Sequence, residues 1–549
     1  MSVANPSEVQ ATFCATLVDE WVRAGLRDVV VCPGSRSTPL ALALHARPEL
    51  TCHVRIDERS AAFFALGVAL ASKTPVAILV TSGTAAAELH AAVAEADLAQ
   101  VPLIVITADR PPELRNVGAP QTIIQTGLYG SMVRGAVEPG VARADAMRSW
   151  RPLAARLWRV AAGLDGSAPG PVHLNASFIE PLVATPRELP EARADGDMWT
   201  YAPATPAVRS AIDVAGGKVM CVVGAGVSPA LVQELWSLDW LVVGDATTNH
   251  TLPYVDPLLR DDALAARLRP DLVVRIGGLA ASKVLGERLR TWGTRVVGYT
   301  GAGPLADPDG LLSDRLPGLP DVRATQLRGD SAYVYEWAGL SRLVGERLSL
   351  LDVEAFNEIT VARRVVHVAG ELGASLVVGS SMPIRDVEWW SPSRITPTFA
   401  NRGANGIDGI TSTIRGVSTV ATTIGFVGDV TFLHDVSGLV DGAVAHSCVI
   451  VVADNSGGGI FNFLPQAQVL DEPAFEEMFG TPRGIDLASV ATAFGHHATR
   501  VTSVDELEAA LRAGAERPGV SVVVAAVPER RANVALHASL TAAVPSWVS

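Results

Sequence analysis

A chain of 549 residues has room for roughly three or four domains, and an apolar content of 48% supplies them with large cores. Lys and Arg number 44 against 57 Asp and Glu, a net charge of −13 with no basic run, which argues against nucleic acid or an anionic membrane as a partner. No apolar stretch has the length of a membrane span, and the opening Met-Ser-Val-Ala-Asn-Pro-Ser-Glu has neither the basic region nor the apolar core of a signal peptide. The cysteines at 14, 32, 52, 221 and 448 show no metal or redox spacing; all five read as buried thiols of a cytoplasmic protein.

Residues 9–25 have helical periodicity. Val29–Cys32 is a short buried strand that turns through Pro33-Gly34-Ser35-Arg36-Ser37 into a helix. His53–Ile56 is a strand ending at Asp57-Glu58-Arg59-Ser60, ahead of an Ala-rich helix. Val76–Val80 leads into Thr81-Ser-Gly-Thr, and Val101–Thr107 ends at Ala108-Asp109-Arg110-Pro111. Strand, polar turn and helix repeat to about residue 187, the pattern of a parallel doubly wound sheet. Residues 188–205 fall in a Pro-, Ala-, Arg- and Glu-rich stretch without apolar period and read as a linker.

A second α/β block covers 206–345. It opens with Val219–Val223 and Gly224-Ala-Gly-Val-Ser-Pro229, half of a dinucleotide fingerprint in which Pro229 stands where a third glycine belongs; a tight strand-to-helix turn is the better reading. Leu272–Ile276 and Arg295–Tyr299 continue the block, and around 301–340 the pattern dissolves into Gly, Pro and Asp. The third block, 352–549, has a helix at about 357–372, then Leu376–Gly379 before Ser380-Ser-Met-Pro-Ile-Arg385, and Thr398–Ala400 before Asn401-Arg402-Gly403-Ala-Asn-Gly-Ile407. Strands at 424–427 and 448–453 follow, separated by a mostly apolar helix-like segment. Val520–Val527 is the last strand, and the tail is helical at best. The fold class is therefore α/β, with three doubly wound parallel-sheet domains.

Two turns in the third block carry the clearest chemistry. Gly428-Asp429 follows one buried strand and Asp454-Asn455-Ser456-Gly457 the next. In an open parallel sheet ligands bind at the carboxyl ends of the strands, so both turns can face one ligand. Carboxylate and amide oxygens suit Mg²⁺, which completes its shell with a diphosphate, and the glycines let backbone approach that group. Either turn alone is an ordinary strand ending. The pair, twenty-six residues apart from 429 to 455, favours the metal reading.

That pair resembles the diphosphate motif of thiamine-diphosphate enzymes, with Val430 in place of the usual third Gly and Asp454 in place of the first Asn. Such enzymes have a pyrimidine-binding domain, here 1–187, a central Rossmann-like domain, 206–345, and a diphosphate-binding domain, 352–549. The resemblance implies that Gly428, Asp429, Asn455 and Gly457 bind the cofactor, with Asp429, Asn455 and the Gly457 carbonyl on Mg²⁺ or Mn²⁺. Glu58 would be catalytic, hydrogen-bonding a ring nitrogen of the aminopyrimidine so that its 4′-nitrogen acts as a base. Taken alone, Glu58 suits the first turn of a helix capped by Asp57. Ile407 would be the wedge that bends the cofactor, and reads equally well as a core isoleucine. The cofactor would lie between the N-terminal domain of one subunit and the C-terminal domain of another. That implies a homodimer at least, with a tetramer also open.

Arg36, Arg110, Arg385 and Arg402 all follow strand-like runs, and four guanidinium groups at such ends suggest polycarboxylate substrates. Residues 32–41, 55–61, 107–114, 170–175, 401–409 and 457–461 together resemble the family of 2-succinyl-5-enolpyruvyl-6-hydroxy-3-cyclohexene-1-carboxylate synthases of menaquinone biosynthesis. The resemblance implies decarboxylation of 2-oxoglutarate and addition of the succinyl-semialdehyde carbanion to isochorismate. Both are small-molecule dicarboxylates, in agreement with the arginines. It assigns substrate contacts to Ser35, Arg36, Arg110, Gln121, Ser380, Ser381, Arg385 and Arg402, and pocket lining to Ile460 and Phe461. Departures from the family pattern are Pro120 before Gln121, Ser380 for an Asn, and Ala176 after Asn175. Two other readings stay open: another 2-oxo-acid carboligase of acetolactate-synthase type, and a dinucleotide-binding oxidoreductase centred on Gly224–Gly226.

Overall fold

Apolar runs of four to seven residues do form parallel strands throughout the computed structural model, which describes residues 5–201, 208–212, 217–301, 306–352, 355–440 and 445–549. The first sheet has six strands: Asp28–Val31, Thr51–Val54, Val76–Val80, Leu103–Asp109, Gly135–Val137 and Val172–Ser177. Numbered along the chain, they lie in the order 2-1-3-4-6-5. The third sheet repeats that order with Ser375–Val378, Thr398–Phe399, Thr423–Gly428, Cys448–Asp454, His497–Val501 and Val520–Ala526. The second has five strands, Val219–Val223, Leu241–Gly244, Leu272–Ile276, Arg295–Tyr299 and Asp314–Leu316, in the order 5-4-3-1-2.

The sheets are doubly wound because successive strand residues face opposite sides and both sides are covered. In the first sheet Val29, Leu79, Ile104 and Ile106 join one apolar core, while Val30, Ile78, Val80 and Val105 join another. The second sheet divides the same way, Met220, Val222 and Val273 to one side and Val219, Cys221 and Val274 to the other.

The chain divides into two compact units. One comprises Met1–Thr205 with Asn401–Val420 and Asp435–Gly442; the other comprises Pro206–Ala400, Ala421–His434 and Ala443–Ser549. Within the first unit the helix Ile410–Val417 crosses the helix Glu58–Ser72 at backbone contact. A Cβ on Gly67 would stand 2.2 Å from the Thr413 carbonyl oxygen, and one on Gly416 2.2 Å from that of Phe64, so only glycine permits the crossing. Within the second unit, Glu388 accepts from the backbone N–H groups of Ala246, Ala281 and Ser282. Buried Arg394 donates to the carbonyls of Asp245 and Thr248. These bonds tie the turns of the second sheet to the segment between the first two strands of the third.

Several expectations need correction. The stretch expected to be irregular as far as 340 contains the helix Ser331–Leu351, capped by Asp330 and buried along Tyr333, Trp337, Leu340, Val344 and Leu348. The tail, read as helical at best, does form a helix, Arg530–Trp547. The strand His497–Val501 left no apolar run because it lies at a sheet edge and is mostly accessible. Cys52 is half-buried rather than buried, since Thr51–Val54 is likewise an edge strand. Residues 1–4 of the opening segment, 202–205 of the expected linker, 206–207 at the start of the central block and 441–444 of the expected helix-like segment lie outside the described residues. Among the described residues no helix is long and apolar enough to cross a membrane.

Candidate active site

In the third sheet Gly428 pairs with Ala453 across two parallel strands, which brings both strands to their carboxyl ends side by side. Asp429 begins the helix Asp429–His434. Its Oδ1 accepts from Val430 N–H at 2.7 Å and its Oδ2 from Gly457 N–H at 2.6 Å. Burial pushes its carboxyl up to about 6, with those two N–H groups opposing the shift. Gly457 has φ +137°, and a Cβ there would meet the Gly480 carbonyl oxygen at 2.1 Å, so the turn demands glycine. The Gly457 carbonyl accepts from Gly459 N–H at 2.8 Å and keeps a second lone pair.

Asn455 is 7% exposed. Its Nδ2 donates to Glu358 Oε1 at 2.8 Å, while its Oδ1 is buried without a hydrogen-bond partner among the described residues. An orphaned amide oxygen is costly unless something supplies positive charge to it. A cleft of about 400 Å³ borders Asp429, Val430, Ser456, Gly457 and Arg483. The Asp454 carboxylate, on the same cleft, pairs with Arg500 at 3.0 Å. Among the described residues no group of three or more His, Cys, Asp or Glu is placed to hold a metal. The donor set here is one carboxylate, one amide oxygen and one carbonyl, all hard oxygens of the kind Mg²⁺ takes beside a diphosphate. The residues therefore fit a metal-diphosphate group.

The turn after the first strand of this sheet holds Ser380, whose hydroxyl is buried without a partner, and Ser381 at φ +76°, a strained value for a residue with a side chain. Arg385 donates to the Ser381 carbonyl at 2.6 Å. Ile460 and Phe461 sit in the 3-10 turn Gly459–Phe463, where Phe461 packs on Phe479.

In the first unit, Asp57 caps the helix Glu58–Ser72 by accepting from Ser60 N–H at 3.0 Å. Glu58 occupies the first helical position, and its carboxylate forms no hydrogen bond or ion pair among the described residues. Arg36 is 5% exposed and already engaged, through Nη1 to the Phe178 carbonyl at 3.0 Å and Nη2 to Glu180 at 3.2 Å. Burial first, and then the charge of Arg110, lower its basicity. Arg110 donates to the Pro120 carbonyl at 3.1 Å, which gives Pro120 a place in the turn. Gln121, exposed with φ +55°, accepts through its own carbonyl from the Ser82 hydroxyl. Ser35 is exposed; Arg402 and Ile407 are half-buried.

Sequence reasoning missed the groups that hold these loops. Glu95, buried, accepts from Gly403 N–H and Ala404 N–H at 2.7 Å each and so clamps the loop carrying Arg402 and Ile407. Gln125 donates to the Ala108 carbonyl and to Asn175 Oδ1 and accepts from Gly83 N–H. Asn175 donates to Asp109, and Thr107 bonds both His173 and Asn175, so the 170–175 motif is a buried brace beneath Arg110. Burial holds His173 down to about 4, keeping it neutral. Glu358 was missed as well: it is 3% exposed, and burial first, then Asp386 and Asp429, push its carboxyl well up.

Residues 12–128 match the family model for the thiamine pyrophosphate enzyme N-terminal TPP binding domain, and residues 399–525 match that for the C-terminal TPP binding domain. Fold and paired turns thus define a thiamine-diphosphate enzyme. Over nearly its whole length the chain is similar to proteins named 2-succinyl-5-enolpyruvyl-6-hydroxy-3-cyclohexene-1-carboxylate synthase. The one from Thermobifida fusca is 38% identical, over 99% of this chain and 100% of the relative. That from Geobacillus kaustophilus is 37% identical over 89% and 90%, and that from Chloroflexus aurantiacus 35% over 93% of each. The chain belongs to this synthase family.

Proposed function

We propose that the protein decarboxylates 2-oxoglutarate and joins the remaining four-carbon unit to isochorismate, giving 2-succinyl-5-enolpyruvyl-6-hydroxy-3-cyclohexene-1-carboxylate for menaquinone biosynthesis. The observation that carries this reading is end-to-end similarity to relatives bearing that name. Bound thiamine diphosphate supplies the electron sink for breaking and forming the carbon–carbon bonds. Asp429, Asn455 and the Gly457 carbonyl hold Mg²⁺, or Mn²⁺ in its place, against the diphosphate, and Gly428 lets backbone approach it. The orphaned Asn455 Oδ1 supports that role. Glu58 would hydrogen-bond a ring nitrogen of the aminopyrimidine, and Ile407 would be the apolar wedge that keeps the cofactor bent. Ser35, Arg36, Arg110, Gln121, Ser380, Ser381, Arg385 and Arg402 bind substrate, and Ile460 and Phe461 line the pocket. The positive charge of Arg110 acting on Arg36 supports an anion there. The working assembly is a homodimer at least, in the cytoplasm, where five free thiols are at home.

Incubation with 2-oxoglutarate, isochorismate, thiamine diphosphate and Mg²⁺, followed by mass identification of the product, tests the reaction. Turnover of pyruvate with none of 2-oxoglutarate would replace it with the acetolactate-type reading. The arginines give a sharper check. Lys at Arg36, Arg110, Arg385 or Arg402 keeps charge but loses the bidentate fork, and each change is expected to cost an appreciable part of the roughly 2–5 kcal/mol that loss of a buried charged partner costs. Near-normal kcat/KM for both substrates in all four variants would refute the dicarboxylate assignment.

A further inference from the structure

Asn455 presents two chemically opposite ends, and only its oxygen end can meet a cation. Rotating the amide by half a turn would put NH₂ where the metal belongs, so something must choose between the two orientations. Glu358 is the group in contact with the other end: its Oε1 accepts from Asn455 Nδ2 at 2.8 Å. Glu358 opens the helix Glu358–Leu372, whose start is fixed by Asn357 accepting from Thr360 N–H at 3.0 Å. The side chain is 3% exposed, and no Lys, Arg or His forms an ion pair with it among the described residues. A buried carboxyl without a basic partner costs stability. A residue needed only to fill space here would be apolar, yet this one spends its hydrogen bond on Asn455.

We propose that Glu358 is a positioning residue of the metal site, accepting from Asn455 Nδ2 so that Asn455 Oδ1 is turned toward the metal. The proposal rests on the reading of Asn455 as a ligand and adds the residue that orients it. Substitution of such outer partners typically weakens metal binding by about 10–100-fold. Glu358→Gln keeps an acceptor oxygen at the same reach. Glu358→Met fills the same space without one.

The test is Mn²⁺ binding to the full-length protein at saturating thiamine diphosphate, read from the free-Mn²⁺ signal in electron paramagnetic resonance, with circular dichroism to verify folding. Glu358→Met is expected to raise the Mn²⁺ Kd by about 10–100-fold, and Glu358→Gln to stay within about threefold of the parent protein. A Met variant within about threefold of the parent protein would overturn the proposal, as would a folded Gln variant that loses at least about tenfold in affinity. The second outcome decides the matter even where the Met variant does not fold. Asn455→Ala separates the two layers: if it binds Mn²⁺ as tightly as the parent protein, the ligand assignment itself fails. If it loses Mn²⁺ while Glu358→Met keeps it, only the role of Glu358 fails.

Discussion

Replacing Asp429 by Ala is expected to abolish turnover and retention of thiamine diphosphate together. The carboxylate has one role proposed above and one the structure shows. In the proposed three-oxygen donor set it is the charged member, so a metal held there would lose its strongest protein ligand. It also accepts from Gly457 N–H at 2.6 Å, so it shapes the turn that carries the proposed third donor. Hydrogen bonds to a charged group contribute about 1.5–3 kcal/mol each, and Ala forfeits two of them. Both losses fall on the same ligand. Titration calorimetry with thiamine diphosphate in Mg²⁺ buffer measures the outcome, and parental affinity in the variant would rule the assignment out. Asp454→Asn is the matched control. That carboxylate pairs with Arg500 instead, so the change, which restores the more usual motif residue, is expected to leave cofactor affinity within a few-fold.

Glu58→Gln is expected to stop turnover while cofactor affinity stays near normal. A positioned proton-transfer group contributes about 10²–10⁴ in rate, and the diphosphate half of the site is untouched by the change. The substitution has little to disturb in the fold, because the Glu58 carboxylate has no partner among the described residues and Asp57 supplies the cap. The same variant tests the proposed homodimer. Glu58→Gln and Asp429→Ala homodimers should both be inactive. If each cofactor is completed by two subunits, a mixed dimer has one site with both lesions and one with neither. Random mixing makes half the dimers mixed, so under an isologous pairing about a quarter of full activity returns in the unfractionated mixture and about half in the purified doubly tagged species. Co-expression with two tags, purification of the doubly tagged species and assay measures this. Inactive mixed dimers with both chains folded would place each site within one chain.

By itself the sequence determined the three parallel sheets, because a strand buried on both faces is written as an uninterrupted β-branched run whatever surrounds it. It also determined the strand-ending turns at 429 and 455, since strand, helix and strand keep a motif within one short stretch of chain. Edge strands were the least legible: Thr51–Val54 was read two residues late, as 53–56, and its exposure misled the burial of Cys52, while His497–Val501 showed no apolar run. The helix Ser331–Leu351 was obscured by the Gly-, Pro- and Asp-rich segment before it, although its own apolar spacing is regular. Only the tertiary structure decided what the polar side chains do. Arg36 is taken up by Glu180, 144 residues away, Asn455 meets Glu358 across 97, and the loop of Arg402 hangs from Glu95 across 308. Such bonds join residues with no shared period and no fixed spacing. They are set by which strand ends the sheet order brings together, and a single sequence carries no local mark of that.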